Sequence, residues 1–289
     1  MAKNIQDLNN SRKQRKEMIR YFGFMPRSIL KFSRGTKKFY NFQQETGQSG
    51  TYNNPLGPQK IKAFNASAGG TRGGERYSIM PISIVEFVIK YYYDKGDLYC
   101  DPFAGQGIQM QIAKSFGIDY VGFDVCEKFV KYIQSTIEQM DDGETRIEVH
   151  LKDSRTIGDE AKDWGFCFTS PPYWNIEEYD DSEEQLGVGH TYEEFLQGMT
   201  DVYTAMFKQA KNGAVIVSNI SDFRKNGKFY SYHADTITCL EKAGFTIHDI
   251  GILDGIVTGI AKVFSVSFNK KRILPKIHEY IIVAKAVKS

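Results

Sequence analysis

Long apolar runs are missing from this chain of 289 residues. None approaches the roughly 18 apolar residues of a helical membrane span, and no signal peptide is visible at Met1. Cysteine is scarce: Cys100, Cys126, Cys167 and Cys239 show no Cys-x-x-Cys spacing. Neither a zinc site nor a disulfide framework is therefore expected, and no metal centre. Three of the four lie in or beside apolar runs and read as buried thiols. A reducing cytoplasm is the expected setting. No internal repeat is apparent, and no charge of one sign dominates, since the formal net charge is +2.

What is present fits one large α/β domain, or one domain with a small appendage. The apolar fraction of 41% is enough for a real core. The near-neutral balance hides an asymmetry. Residues 1–75 hold 14 Lys/Arg against 4 Asp/Glu, a net of +10, which leaves 2 − 10 = −8 for residues 76–289. A basic arm on an acidic body suits a polyanionic partner; it is equally what a solvated tail looks like. Within it, aromatics such as Phe22, Phe24, Phe39 and Tyr40 are interspersed with Arg27, Lys31, Arg34 and Lys37. Rings between cations suit phosphate contacts with base stacking, or a small core layer with a solvated outer face. Residues 48–74 are rich in Gly, Asn, Ser and Thr and read as a loop. Residues 1–75 are thus expected to be a basic N-terminal extension, a possible nucleic-acid-contacting region, and 76–289 the main domain.

The regular part begins with a helix that has Pro81 in its first turn. Leu98-Tyr99-Cys100 is a short strand ending at Asp101-Pro102-Phe103-Ala104-Gly105-Gln106-Gly107, and a helix follows over 108–116. The next strand, Tyr120-Val121-Gly122-Phe123, closes on Asp124, about 20 residues after the first glycine of the turn. This is a βαβ unit with a glycine turn and an acid at ribose distance. Glycine there permits close backbone approach to a ligand. The lack of a third glycine in dinucleotide spacing argues against a pyrophosphate ligand. Ile147–Leu151 alternates as a strand and leads to Asp153, which also reads as a cap or turn residue.

Trp164-Gly165-Phe166-Cys167-Phe168 is an apolar run with the length of a buried strand. Pro171-Pro172 must stop it, because neither proline can donate to a ladder. Ser170, Tyr173 and Trp174 are thereby held at the carboxyl end of a strand, where ligands bind in open α/β sheets. A fixed hydroxyl, fixed carbonyls and a ring are the parts needed to hold a planar heterocycle by its exocyclic amine. An ordinary Pro-Pro turn after a core strand has the same local sequence. Further on, Thr191 with Glu194 marks a helix start. Residues 213–219 form a buried strand, 221–230 a polar loop, 233–243 a helix, 245–250 a strand and 278–283 a last strand. The alternation predicts a doubly wound, mostly parallel sheet with helices on both faces.

Thr169-Ser170-Pro171-Pro172-Tyr173-Trp174 resembles the catalytic motif of the exocyclic-amine DNA methyltransferases, which modify cytosine N4 or adenine N6. The Ser-Pro-Pro-Tyr form is more typical of the cytosine branch. Asp101-Pro102-Phe103-Ala104-Gly105-x-Gly107 resembles the same family's S-adenosylmethionine site. The resemblance implies a fold of the S-adenosylmethionine-dependent methyltransferase type. It implies that Ser170, Pro171, Pro172 and Tyr173 are catalytic. Asp101, Phe103, Gly105 and Gly107 would meet the methionine moiety, with Pro81 lining its pocket. Asp124 would take the ribose hydroxyls and Asp153 would reach the adenine ring. Trp174 and His278, the latter in a last motif His278-Glu279-Tyr280, would lie at the target-base pocket; His278 also reads as a polar strand start. The chain departs from the family pattern at Met80, Gln106 and Ile108-Gln109. The implied cofactor is S-adenosyl-L-methionine. The implied partner is double-stranded DNA with its target base flipped out. A methyltransferase of RNA or of a protein amide, or an inactive cofactor- or DNA-binding relative, is the alternative.

Overall fold

Period-two alternation in the apolar strands builds two core layers, one on each face of a single sheet. Strand β2 (Tyr99–Asp101) sends Tyr99 to one layer and Cys100 to the other. Strand β3 (Tyr120–Asp124) does the same with Tyr120 and Val121, and β5 (Trp164–Thr169) with Phe166, Cys167 and Phe168. These strands are buried on both faces, which is why they read as near-continuous apolar runs. The computed structural model describes residues 13, 16–20, 27–31, 82–138, 144–176, 185–254, 272–274 and 278–288. Pro81, the acidic stretch 177–184, the segment 255–271 and most of 1–75 lie outside the described residues.

Helices α1 (Ile82–Tyr92), α2 (Ile108–Ser115) and α3 (Glu127–Glu138) cover the first face, with Val88, Ile112 and Ile133 in its core. Helices α4 (Tyr192–Gln209) and α5 (Tyr232–Lys242) cover the second, with Phe195, Val202 and Leu240. The α4 start is the expected capping box: Glu194 N–H donates to Thr191 Oγ1 at 3.2 Å and Thr191 N–H to Glu194 Oε2 at 2.8 Å. Trp164 ties β5 to α4 through its indole N–H, which donates to the Met206 carbonyl at 2.8 Å. All four cysteines are free and buried.

The remaining strands are β1 (Ile29–Lys31), β4 (Ile147–Leu151), β6 (Ala210–Ile220), β9 (Thr246–Asp254) and β10 (His278–Lys285). The eight lie in the order β1-β9-β10-β6-β5-β2-β3-β4. All neighbouring pairs are parallel except those of β10, which is inserted antiparallel between β9 and β6. The sequence pattern did not predict β1. It forms because Leu30, 4% exposed, enters the core while the backbone pairs with β9, Leu30 opposite Leu253. Helix α3 was likewise unassigned by pattern; it is amphipathic, with Phe129, Val130 and Ile133 buried.

Residues 221–230, expected as a polar loop, form a separate hairpin of β7 (Phe223–Lys225) and β8 (Lys228–Tyr230). Its two turn residues, Asn226 and Gly227, have φ of 50° and 81°. Positive φ at both central residues makes the hairpin turn whose twist matches its strands, and Asn-Gly is its favoured sequence. No helix among the described residues is long and apolar enough to cross a membrane.

Candidate active site

Strand order reverses about β2: β3 and β4 lie to one side, β5 and β6 to the other. The crevice at the carboxyl ends of β2 and β5 is therefore the topological switch point, where open α/β sheets bind ligands. The glycine turn leaves β2 there, and the Ser-Pro-Pro-Tyr turn leaves β5 beside it.

Asp101 ends β2 and is fully buried. Its Oδ1 accepts from the Phe103 N–H at 3.1 Å and the Thr169 hydroxyl at 2.8 Å; its Oδ2 accepts from the Tyr120 hydroxyl at 3.2 Å. It thus fastens β2 to β3, β5 and the glycine turn, a bracing role that sequence could not distinguish from ligand contact. Burial pushes the Asp101 carboxyl up to about 6, against the lowering effect of those three hydrogen bonds. The folded pKa lies above the unfolded one, so the folded state holds this proton longer. The contribution is fully present below about pH 4 and is lost as pH rises through about 6. Replacing Asp101 by Asn is expected to remove a stability decline of about 2–3 kcal/mol between those limits. Denaturant melts of wild type and variant at pH 4 and pH 7 check this; parallel pH profiles would contradict it.

Two glycines with positive φ shape the turn, for different reasons. Gly107, at φ 73°, begins α2, and a Cβ there would come within 2.8 Å of Ile133 Cγ1 on α3. Its glycine is required by helix packing. Gly105 has φ 51°, and among the described residues a Cβ there would meet only the Phe103 carbonyl, at 3.9 Å. The Gly105 N–H donates to Asp124 Oδ2 at 2.7 Å and the Cys126 N–H to Asp124 Oδ1 at 2.9 Å, so Asp124 holds the turn from the end of β3. In the same turn, Gln106 Oε1 is buried with no hydrogen-bond partner among the described residues. Phe103 is partly buried against the second core layer. Asp153, after β4, caps a short 3-10 turn by accepting from the Arg155 N–H at 2.9 Å and pairs with the Arg155 guanidinium at 2.6 Å. This is the cap geometry its sequence context also allowed.

After β5, Pro171 is buried while Ser170, Pro172, Tyr173 and Trp174 are partly exposed. Ser170 Oγ lies 3.4 Å from the Asn219 carbonyl on β6, a long contact that leaves the hydroxyl oxygen able to accept. Tyr232, the first residue of α5, donates its hydroxyl to the Pro172 carbonyl at 3.1 Å. Tyr173 meets Phe223 edge-on at 6.0 Å and Tyr232 at 5.7 Å. Trp174 packs between Tyr192 and Tyr230, at 5.4 and 5.2 Å, and its indole N–H donates to the His190 carbonyl at 2.8 Å. The pattern did not point to Tyr192, Phe223, Tyr230 and Tyr232 as the support of this turn. Their signal was the density of aromatics after Thr191.

His278, at the start of β10, reaches the same sheet edge because β10 runs antiparallel. Its carbonyl accepts from the Ser221 hydroxyl at 3.2 Å and its ring meets Tyr280 edge-on at 5.1 Å. Beside it, Glu279 accepts from the Asn219 amide at 2.9 Å. Asp222 accepts from the His233 N–H at 3.1 Å and lies 2.6 Å from His233 Nδ1, and the His233 ring stacks on Tyr280 at 4.2 Å. Burial and the Asp222 carboxylate push the Tyr280 phenol up.

The family model described as DNA methylase, for N6 and N4 methylation, matches residues 3–135. That span contains the glycine turn and Asp124 and ends before the Ser170 turn. A search of curated proteins finds no match. Among solved structures, the [4+2]-cyclase SpnF is 13% identical, covers 72% of this chain and 82% of its own, and superposes with a TM-score of 0.50. A SAM-dependent methyltransferase from Methanosarcina mazei is 11% identical, with 70% and 98% covered and a TM-score of 0.48. Magnesium protoporphyrin IX methyltransferase from Synechocystis PCC 6803, with bound SAM, is 16% identical, with 70% and 76% covered and a TM-score of 0.45. At such identities the likeness concerns the fold, and one fold carries many reactions. Residues 3–135, which include the glycine turn, are thus similar to the DNA methylases that methylate N6 or N4.

Proposed function

We propose that this chain is an S-adenosylmethionine-dependent DNA methyltransferase that modifies an exocyclic base amine, cytosine N4 in preference to adenine N6. One observation carries the reading: the Ser170-Pro171-Pro172-Tyr173 turn leaves β5 at the switch point, one strand away from the glycine turn on β2. The serine in first position is what favours cytosine.

The residues of the glycine turn fit the cofactor. Gly105 leaves space that a side chain would fill, and Gln106 Oε1 is a buried acceptor that a bound donor would satisfy. Gly105, Gln106, Phe103 and Asp124 would hold it, with Asp101 bracing the turn from beneath and Asp153 at its margin. When bound, S-adenosylmethionine supplies an activated methyl group. The chain's own work is to present the amine. An amine conjugated to a base is a poor nucleophile. Acceptors aimed at its hydrogens favour a pyramidal nitrogen and stabilise the positive charge that develops there. Ser170 Oγ and the Pro171 carbonyl are those acceptors. The Tyr232 hydroxyl on the Pro172 carbonyl fixes the turn that aims them. Tyr173 offers a partly exposed ring for the base to stack on, Trp174 and His278 flank the pocket, and the base must leave its duplex to arrive. The basic extension, residues 1–75, is a DNA-contacting region in this reading.

The test is methyl transfer from labelled cofactor to duplex DNA, RNA and protein offered separately to the full chain. Label in duplex DNA supports the reading; label in RNA or protein alone, or in none, overturns it.

A further inference from the structure

We infer that the β7–β8 hairpin is a phosphate-gripping element that holds the DNA backbone beside the target base; this rests on the DNA reading above. The hairpin carries Arg224, Lys225 and Lys228 and no acidic residue between Phe223 and Tyr230, although residues 76–289 have a net charge of −8. None of the three cations is in an ion pair among the described residues. Each is instead poised over a ring: Arg224 Cζ lies 4.9 Å from the Phe229 centroid, Lys225 Nζ 5.0 Å from Trp174 and Lys228 Nζ 4.8 Å from Tyr230.

Register sharpens the point. Lys225 pairs directly with Lys228 across the two strands. Like charges placed opposite one another weaken a hairpin, and a two-stranded hairpin is marginal even without them. A polyanion between or above the two ammonium groups turns that liability into binding. Arg224 and Phe229, also cross-strand partners, occupy the opposite face, and Phe229 is exposed. Both faces therefore offer cations, and one adds a ring.

The hairpin is also fastened to the catalytic turn. Lys225 Nζ donates to the Asn175 carbonyl at 2.7 Å, Tyr230 packs on Trp174, and Phe223 stacks on Tyr230 at 5.0 Å while touching Tyr173. A phosphate held at the hairpin is thus held in fixed relation to Ser170 and Tyr173. Duplex DNA, with closely spaced phosphates flanking an extruded nucleotide, is the occupant this arrangement fits.

The experiment uses the full chain with Arg224→Gln and Lys228→Gln combined, and measures duplex DNA affinity by anisotropy across salt. Two lost phosphate contacts should flatten the slope of log K against log salt by about 1.8. Wild type would then lose about 12-fold more affinity than the variant between 50 and 200 mM salt, on the order set by counterion release. A control pair, Lys131→Gln with Lys242→Gln, removes equal charge elsewhere and should keep the wild-type slope. The thermal midpoint of the hairpin variant should hold or rise, because the Lys225–Lys228 repulsion is relieved; that result shows it is folded. A wild-type slope in the hairpin variant, or an equal loss in the control pair, overturns the inference. Flattening on single-stranded RNA with none on duplex DNA rejects DNA as the occupant. If wild type itself has no salt-dependent affinity for duplex DNA, the DNA reading has failed, and that shows without any variant.

Discussion

Turnover by a Ser170→Ala variant is expected to fall about a hundredfold while cofactor affinity stays at the wild-type value. The magnitude is that of one preorganised polar partner removed from a transition state, about 3 kcal/mol. Among the described residues Ser170 makes only the long contact to the Asn219 carbonyl, so its removal strands no strong hydrogen bond among them. Pro171, Pro172 and the Tyr232 anchor keep the backbone in place. The lost interaction acts after binding, so the expected signature is a lower single-turnover rate with unchanged calorimetric affinity. Tyr173→Ala should behave differently. It removes a stacking face worth roughly 1–3 kcal/mol per base and also two internal ring contacts. Capture of DNA should weaken together with the rate. Wild-type single-turnover rates in both variants would remove this turn from the chemistry.

Gly105→Val is expected to abolish S-adenosylmethionine binding in calorimetry. Two effects act in one direction. A β-branched residue at φ 51° is strained by about 1–3 kcal/mol. Its side chain would also project into the space that Gly105 now leaves open. The same substitution at Gly107 would act through packing, because its Cβ meets Ile133. Thermal stability should therefore fall more in Gly107→Val than in Gly105→Val, while Gly105→Val should lose binding with its fold retained. Asp124→Ala should weaken binding as well, since it frees the Gly105 and Cys126 N–H groups that shape the turn. Unchanged affinity in Gly105→Val and Asp124→Ala would displace the cofactor site from this turn.

Much of the sheet was legible because its strands are buried on both sides. Phe166-Cys167-Phe168 had to be a core strand, and Pro171-Pro172 had to end it. The α4 start was legible because a capping box is a local device. Strand β1 was not, because three residues carry no period; only pairing with β9 selects them. The hairpin was hidden by its polar flanks, although Asn226-Gly227 is the strongest short signal for such a turn. At the site, the glycine turn, Asp124 and the Ser170 turn were visible as motifs. The division of labour among them was not. Asp101 also braces three strands, Gly107 also answers to helix packing, and Trp174 lies within an aromatic layer. Asp153 is occupied as a cap. Such distinctions depend on neighbours from distant strands, which no local pattern contains.

The central claim is amine methylation of DNA, and product identity tests it most directly. Duplex DNA should be incubated with the full chain and labelled S-adenosylmethionine, digested to nucleosides and separated by mass spectrometry. The account predicts label in N4-methylcytosine, with N6-methyladenine as the other product of the same chemistry. Label on a ring carbon would contradict it, because carbon methylation needs a covalent nucleophile that Ser170-Pro171-Pro172-Tyr173 does not supply.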